Sequence, residues 1–245
     1  MQDGGWGDAP LRDAAERAAS RAAAGGRRTN QATEPAELDP EALAQIEAGA
    51  AGPRAGRYRE RLASASEALG RGRYDDARRM VQSVLRDLPE VALAHEIAGQ
   101  CFYATGQWRK AAAELELARQ LDHSLRHHHL LADCYRAMRR YDAVRDLWNE
   151  LKEASPEPAL MAEGRIVAAG ALADQGDLPG ALRLMERARD VPKKVREYHL
   201  KQWYVLGDLS DRSGDVVQAR RFFGLVAQHD AEFADVRERL AGLGR

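Results

Sequence analysis

The sequence predicts an all-α, right-handed superhelical solenoid of about five helix-turn-helix hairpins, closed by a C-terminal capping helix. Three observations predict it. One skeleton of small and bulky residues recurs five times, anchored at Ala77, Ala111, Val144, Ala181 and Ala219, at intervals of 34, 33, 37 and 38 residues. A self-similar period in this range marks a stacked helical array. Five residues before the anchors stand Gly72, Gly106, Arg139, Gly176 and Gly214, so most repeats turn on the residue best able to end a helix. Finally, Tyr74, Trp108, Tyr141, Leu178 and Val216 lie three residues before the anchors, and Val81, Leu115, Trp148, Met185 and Phe223 four residues after. These positions put one bulky apolar stripe on each second helix.

Taken in chain order, residues 1–35 combine Gly4-Gly5, Gly25-Gly26 and an alanine and arginine run from Leu11 to Ala24, with few large apolar side chains. Such a segment cannot offset its ordering entropy by burial, so it is predicted to be a disordered low-complexity tail. A fluctuating helix is expected over 11–24, and Trp6 is its lone aromatic. Residues 36–56 form a short helix and linker. Asp39 is placed to cap a helix beginning at Pro40, and Leu38, Leu43 and Ile46 give it a narrow apolar stripe. This helix is expected either to cover the first repeat or to fold back into the groove as a built-in competitor.

Residues 57–231 hold the repeats. Twelve residues before each anchor lie Ala65, Gly99, Ala132, Ala169 and Gly207, small as a close helix crossing requires. Pro89 and Pro156 fall where second helices should end. Insertions at Glu157–Leu160 and Val191–Val195 predict that the first helices of the last two repeats start early. Residues 232–245 read as the capping helix, because Phe233, Val236, Leu240 and Leu243 share one face while Asp235, Arg237, Glu238 and Arg239 take the others. Terminal repeats need such a polar outer face for solubility.

These columns resemble the tetratricopeptide repeat, most clearly in Gly72-Arg73-Tyr74-Asp75-Asp76-Ala77 and Gly106-Gln107-Trp108-Arg109-Lys110-Ala111. More narrowly, Leu38-Asp39-Pro40-Glu41 and Arg165-Ile166-Val167-Ala168-Ala169-Gly170-Ala171 resemble a group of actinobacterial tetratricopeptide proteins with a low-complexity N-terminal tail. Some members of that group are encoded near a tyrosyl-tRNA synthetase, which implies a link to translation or RNA handling.

The family resemblance implies a protein-interaction module or scaffold that binds a peptide or protein segment on a concave surface lined by first helices. Projecting the helical period puts Arg59, Glu96, Arg126, His129, Glu163, Lys201 and Tyr204 near the starts of those helices. Gln100, Tyr103, Asp133, Arg136, Asp174, Asp208 and Asp211 follow one or two turns later. The middle of this surface mixes signs and the last repeat is largely acidic, which suits a partner of both charges or a basic element at the C-terminal end. The family's best-known ligand mode is a clamp of asparagine, lysine and arginine on a terminal carboxylate. Here the equivalent positions hold Glu96, Gln100, His129 and Asp133, two of them acidic, which argues against that mode.

His127-His128-His129 cannot converge on one ion, because consecutive helical residues point about 100° apart. His95 and His128 fall in a packing column, and only His129 faces the groove. The sharpest metal candidate is His129 with Asp133, one turn apart, helped by Glu96. The set lacks a full coordination pattern, so neither metal nor cofactor is expected. Cys101 and Cys134 share a column of adjacent repeats, on the order of 10 Å apart from helix packing distances, beyond disulfide reach. They read as small buried fillers.

No nucleophile, nucleotide loop or paired-carboxylate motif stands in a suitable context, so the chain is not expected to be an enzyme. An RNA-associated or translation-linked helical-repeat protein is the alternative, with Arg126, Arg136, Arg139 and Arg140 near Tyr103 and Tyr135 as cationic and stacking groups. Against it, 37 basic residues meet 38 acidic ones, and phosphate neutralisation dominates nucleic-acid affinity. No basic segment precedes an apolar run at the start, and no stretch of about eighteen apolar residues occurs. A cytoplasmic protein without membrane partners is therefore expected.

Overall fold

The computed structural model describes residues 38–244. The predicted tail, with Trp6 and the 11–24 segment, lies outside the described residues. Within them are twelve α-helices and one 3-10 turn, with no strand: α1 Pro40–Gly49, α2 Gly52–Gly70, α3 Tyr74–Asp87, α4 Ala92–Ala104, α5 Trp108–Asp122, α6 His128–Ala137, α7 Tyr141–Ala154, α8 Pro158–Asp174, α9 Leu178–Leu184, the 3-10 turn Glu186–Ala188, α10 Glu197–Arg212, α11 Val216–His229 and α12 Val236–Leu243. The chain divides into two compact units between Arg140 and Tyr141, at the turn of the third repeat.

Each predicted second helix begins at its bulky residue: Tyr74, Trp108, Tyr141, Leu178 and Val216 are the first residues of α3, α5, α7, α9 and α11. All five anchors are buried, and so are Val81, Leu115, Trp148, Met185 and Phe223. The turn residue two places before each of these helices is left-handed, with φ from 71° to 85° at the four glycines and 58° at Arg139.

In the unit that ends at Arg140, α2 packs on α3, α3 on α4, α4 on α5 and α5 on α6. The core runs through Tyr58, Leu62, Val81, Val84, Val91 and Ile97. A Cβ at Gly99 would sit 2.7 Å from Leu115 Cγ, which explains glycine where α4 crosses α5. Asp39 caps α1, its Oδ1 accepting from the Ala42 N–H at 2.7 Å. Ala42 and Ile46 carry the buried face of α1, while Leu43 stays half-exposed.

The unit that begins at Tyr141 pairs α7 with α8, α8 with α9 and α10 with α11. Its core is more aromatic, built on Trp203, Phe222, Phe223, Leu206, Leu209 and Met185. The Trp203 indole N–H donates to the Ala188 carbonyl at 3.1 Å. Gly207 repeats the close crossing, because a Cβ there would lie 2.8 Å from the Phe223 ring. Phe233 and Val236 are buried, and Leu240 and Leu243 pack against the same core.

The first helices of the last two repeats start early, as the insertions predict: α8 begins at Pro158 and α10 at Glu197, 23 and 22 residues ahead of their anchors, against 19 for α4 and 16 for α6. After the short α9 and its 3-10 turn, residues 189–196 are irregular. Pro192 supplies the reason, since the residue before proline is driven to extended backbone, and Pro192 has no N–H to donate into a helix. Val191 is left 52% exposed.

Candidate functional site

The face carried by α2, α4 and α6 is built in two layers. Deepest is a triad in which the Tyr103 hydroxyl donates to Asp133 Oδ2 at 2.7 Å and Arg136 lies 3.3 Å from Asp133 Oδ1. Asp133 and Arg136 are each 6% exposed. Tyr103 stands edge-on to Trp108, their ring centroids 5.5 Å apart. Sequence projection placed these three on one surface, and the structure brings them together, but with Asp133 and Arg136 as buried partners of one another rather than open contact groups.

A second cluster gathers where α4 and α6 begin and α5 ends. Glu96, 4% exposed, receives His127 Nε2 at 2.9 Å and Arg126 at 3.7 Å. It also shares a hydrogen bond with Asp122, which in turn accepts from the Ser124 N–H at 2.8 Å. Burial alone would push the Glu96 carboxyl up, but His127 and Arg126 outweigh it and hold the group below the usual carboxylate range. Burial and the bond to Glu96 push Asp122 the other way. Of the groups weighed as metal ligands, Glu96 is engaged by His127, and Asp133 by Tyr103 and Arg136. No group of three His, Cys, Asp or Glu side chains able to hold a metal exists among the described residues.

Above these lie the accessible groups. Arg59 and Arg126 are exposed and Gln100 and His129 half-buried. His95 and His128 are buried, as their packing column requires. The two nitrogens of His95 face Glu114 Oε2 at 2.7 Å and the Pro89 carbonyl at 3.0 Å. Burial opposes its charging, but these two acceptors outweigh it and raise its pKa. Cys101 and Cys134 are buried and not disulfide-bonded, and burial pushes the Cys101 thiol up to about 11.

In the second unit the predicted residues form ion-pair chains. Lys201 Nζ lies 2.7 Å from Glu163 and 3.5 Å from Glu197, and these carboxylates raise its pKa against the opposing effect of burial. The Tyr204 hydroxyl donates to Asp235, and burial with that carboxylate drives its pKa far upward. Arg239 bonds to Asp208 and approaches Asp211 at 3.5 Å. Burial still pushes Asp208 upward. Part of this acidic end is thus met by Arg239 of the chain's own α12.

Sequence reasoning missed Asp122, His127, Asp235 and Arg239 as partners, although a signal existed. Glu96–His127, Tyr103–Asp133, Tyr204–Asp235 and Asp208–Arg239 are separated by 31, 30, 31 and 31 residues. Each pair joins complementary groups about one repeat apart, where stacking makes successive positions neighbours.

Residues 68–134 match the tetratricopeptide repeat family, over the stretch where turn glycines, small crossing residues and buried anchors coincide. That stretch carries the tetratricopeptide repeat. A crystal structure of a thermophilic tetratricopeptide repeat protein from Thermus thermophilus is similar in fold, with a TM-score of 0.58 at 17% identity over 76% of this chain and 98% of that one. No curated protein matches the sequence. Tetratricopeptide repeats generally serve as protein-interaction modules, and no helix among the described residues is long and apolar enough to cross a membrane.

Proposed function

We propose that this tetratricopeptide-repeat chain is a non-catalytic adaptor that holds a protein or peptide segment on the first-helix face of α2, α4 and α6. One observation carries the reading: Glu96, Asp133 and Arg136 are charged and buried on α4 and α6, each tied to a fixed partner. Stacking alone would be served as well or better by apolar residues, since desolvating ionised groups is costly. Their arrangement instead holds Tyr103 and Arg126 in set positions above a polar floor, the preorganisation that lowers the entropic cost of binding.

Of the four arginines an RNA reading needs, Arg136 is buried and committed to Asp133. The test is affinity capture from a lysate of the source organism with the intact chain and with an Arg59→Ala, Gln100→Ala, Arg126→Ala variant, each with and without nuclease. These side chains are exposed or half-buried, so helicity should survive. Expected is a protein captured by the intact chain alone and indifferent to nuclease. Capture retained by the variant would move the site elsewhere, and loss on nuclease treatment would favour RNA.

A further inference from the structure

Helix α1 makes polar contacts with the first-helix elements of three successive hairpins. Its Glu47 lies 3.6 Å from Arg59 of α2. The Gln45 Oε1 accepts from the Ala92 N–H at 2.9 Å, at the first residue of α4. Asp39, at its N-cap, lies 3.6 Å from Arg126, just ahead of α6. Between these contacts Ala42 and Ile46 are 2% and 0% exposed. At its far end α1 comes so close to Leu88 that a Cβ on Gly49 would meet the Leu88 side chain at 2.6 Å.

The surface beneath has the complementary chemistry. No side chain of the N-cap residue Val91 caps α4, so its open backbone donors take an acceptor from outside, which Gln45 provides. Arg59 and Arg126 flank that point with positive charge. The helix lying there has Asp39, Glu41 and Glu47 and no basic residue. The two ion pairs are exposed on at least one side and contribute little affinity. They set direction and charge preference, while Ile46 and the Gln45 cap hold the helix down.

We propose that the first-helix face of α2, α4 and the start of α6 is a receptor for a short acidic amphipathic helix, occupied in cis by α1, and that a partner helix of the same character binds by displacing it. This rests on the adaptor reading above and names the chemistry of its partner. Only Ala50 and Ala51 separate α1 from α2, so the tethered helix competes at high effective concentration and masks the face from weak or ill-matched ligands.

The experiment uses the full chain and a fluorescein-labelled peptide of residues 36–51 as probe, followed by anisotropy. Ile46→Glu alters only the occupant and should release it. Expected is at least tenfold tighter peptide binding by Ile46→Glu than by the intact chain. Adding Arg59→Glu should weaken that binding severalfold, and a probe carrying Asp39→Lys and Glu47→Lys should not bind. Should Ile46→Glu lose its far-UV helical signal, Gln45→Ala with Asp39→Ala leaves the apolar contacts intact and is expected to raise probe affinity severalfold.

Equal affinity of intact and released chains, or indifference to charge reversal in the probe, overturns the proposal. The adaptor reading fails separately, by protein capture that persists in the Arg59, Gln100 and Arg126 variant. Capture that depends on those residues without any binding of the acidic probe would retain the adaptor and discard the acidic helix as its partner.

Discussion

Arg139 holds a left-handed backbone, φ 58°, at the turn position that glycine fills in the other four repeats. An L-residue there crowds its Cβ against the following carbonyl at about 1–2 kcal/mol, partly offset by the greater unfolded-state freedom of glycine. Arg139→Gly should therefore raise stability by about 1 kcal/mol, read as a higher urea midpoint at unchanged slope. His95 carries a pH prediction. With acceptors at both ring nitrogens, its folded pKa lies above the unfolded value of 6.5. The added stability is fully present below that unfolded value and is lost as pH rises through the higher folded pKa. Urea unfolding at pH 6 and pH 9 should show the intact chain losing stability on going up, and His95→Phe should lose less over that interval. At pH 6 the substitution should cost about 1–3 kcal/mol, because hydrogen bonds to a charged group are removed and Glu114 loses its partner.

Among the helices, the small-residue columns make a sharper prediction than propensity does. Gly→Ala inside a helix normally stabilises by about 0.5–1 kcal/mol. At Gly224 of α11 a Cβ meets nothing within 4 Å, and that gain is expected. At Gly207 the new Cβ lies 2.8 Å from a buried Phe223 ring, and overpacking of this kind costs about 1–3 kcal/mol. Gly224→Ala should raise and Gly207→Ala lower the thermal midpoint. A rise in both would show that the α10–α11 crossing yields easily. Gly164 belongs to the same class, with Leu151 Cδ1 2.5 Å from its would-be Cβ. It packs α8 against the preceding α7, so it falls outside the columns within hairpins.

At the largest scale, each unit carries a short helix outside its hairpins: α1 ahead of α2 in the first, α12 after α11 in the second. Truncation after Gln228 removes Phe233 and Val236 from the core around Tyr204 and Phe223. At about 2 kcal/mol for each buried apolar side chain, the loss approaches half the stability of an ordinary domain. It also strips Arg239 from Asp208 and Asp211. Size-exclusion chromatography should show aggregation, and circular dichroism partial loss of helix. A monodisperse, fully helical product would mean that α12 is dispensable.

Repetition made the helical fold legible in the sequence. Five copies of one packing unit put the same demand on the same columns, so anchors, turn residues and second-helix starts could be read as periods, and Asp39-Pro40 gave a helix start by local capping chemistry alone. The irregular segment at 189–196 was less legible, because repeat length marks an insertion there without showing that Pro192 keeps it out of the helix. What lies on the first-helix face was only half legible. Helical projection put Tyr103, Asp133 and Arg136 on one surface, but not which would be buried, since two side chains can satisfy each other only once stacking brings residues about 30 apart within hydrogen-bond reach. The sequence by itself determined the repeat, its helices and the polar character of that face. Tertiary structure alone decided that Glu96 pairs with His127, that Arg239 meets part of the acidic end, and that α1 crosses three hairpins, because each depends on the through-space distance between side chains far apart along the chain.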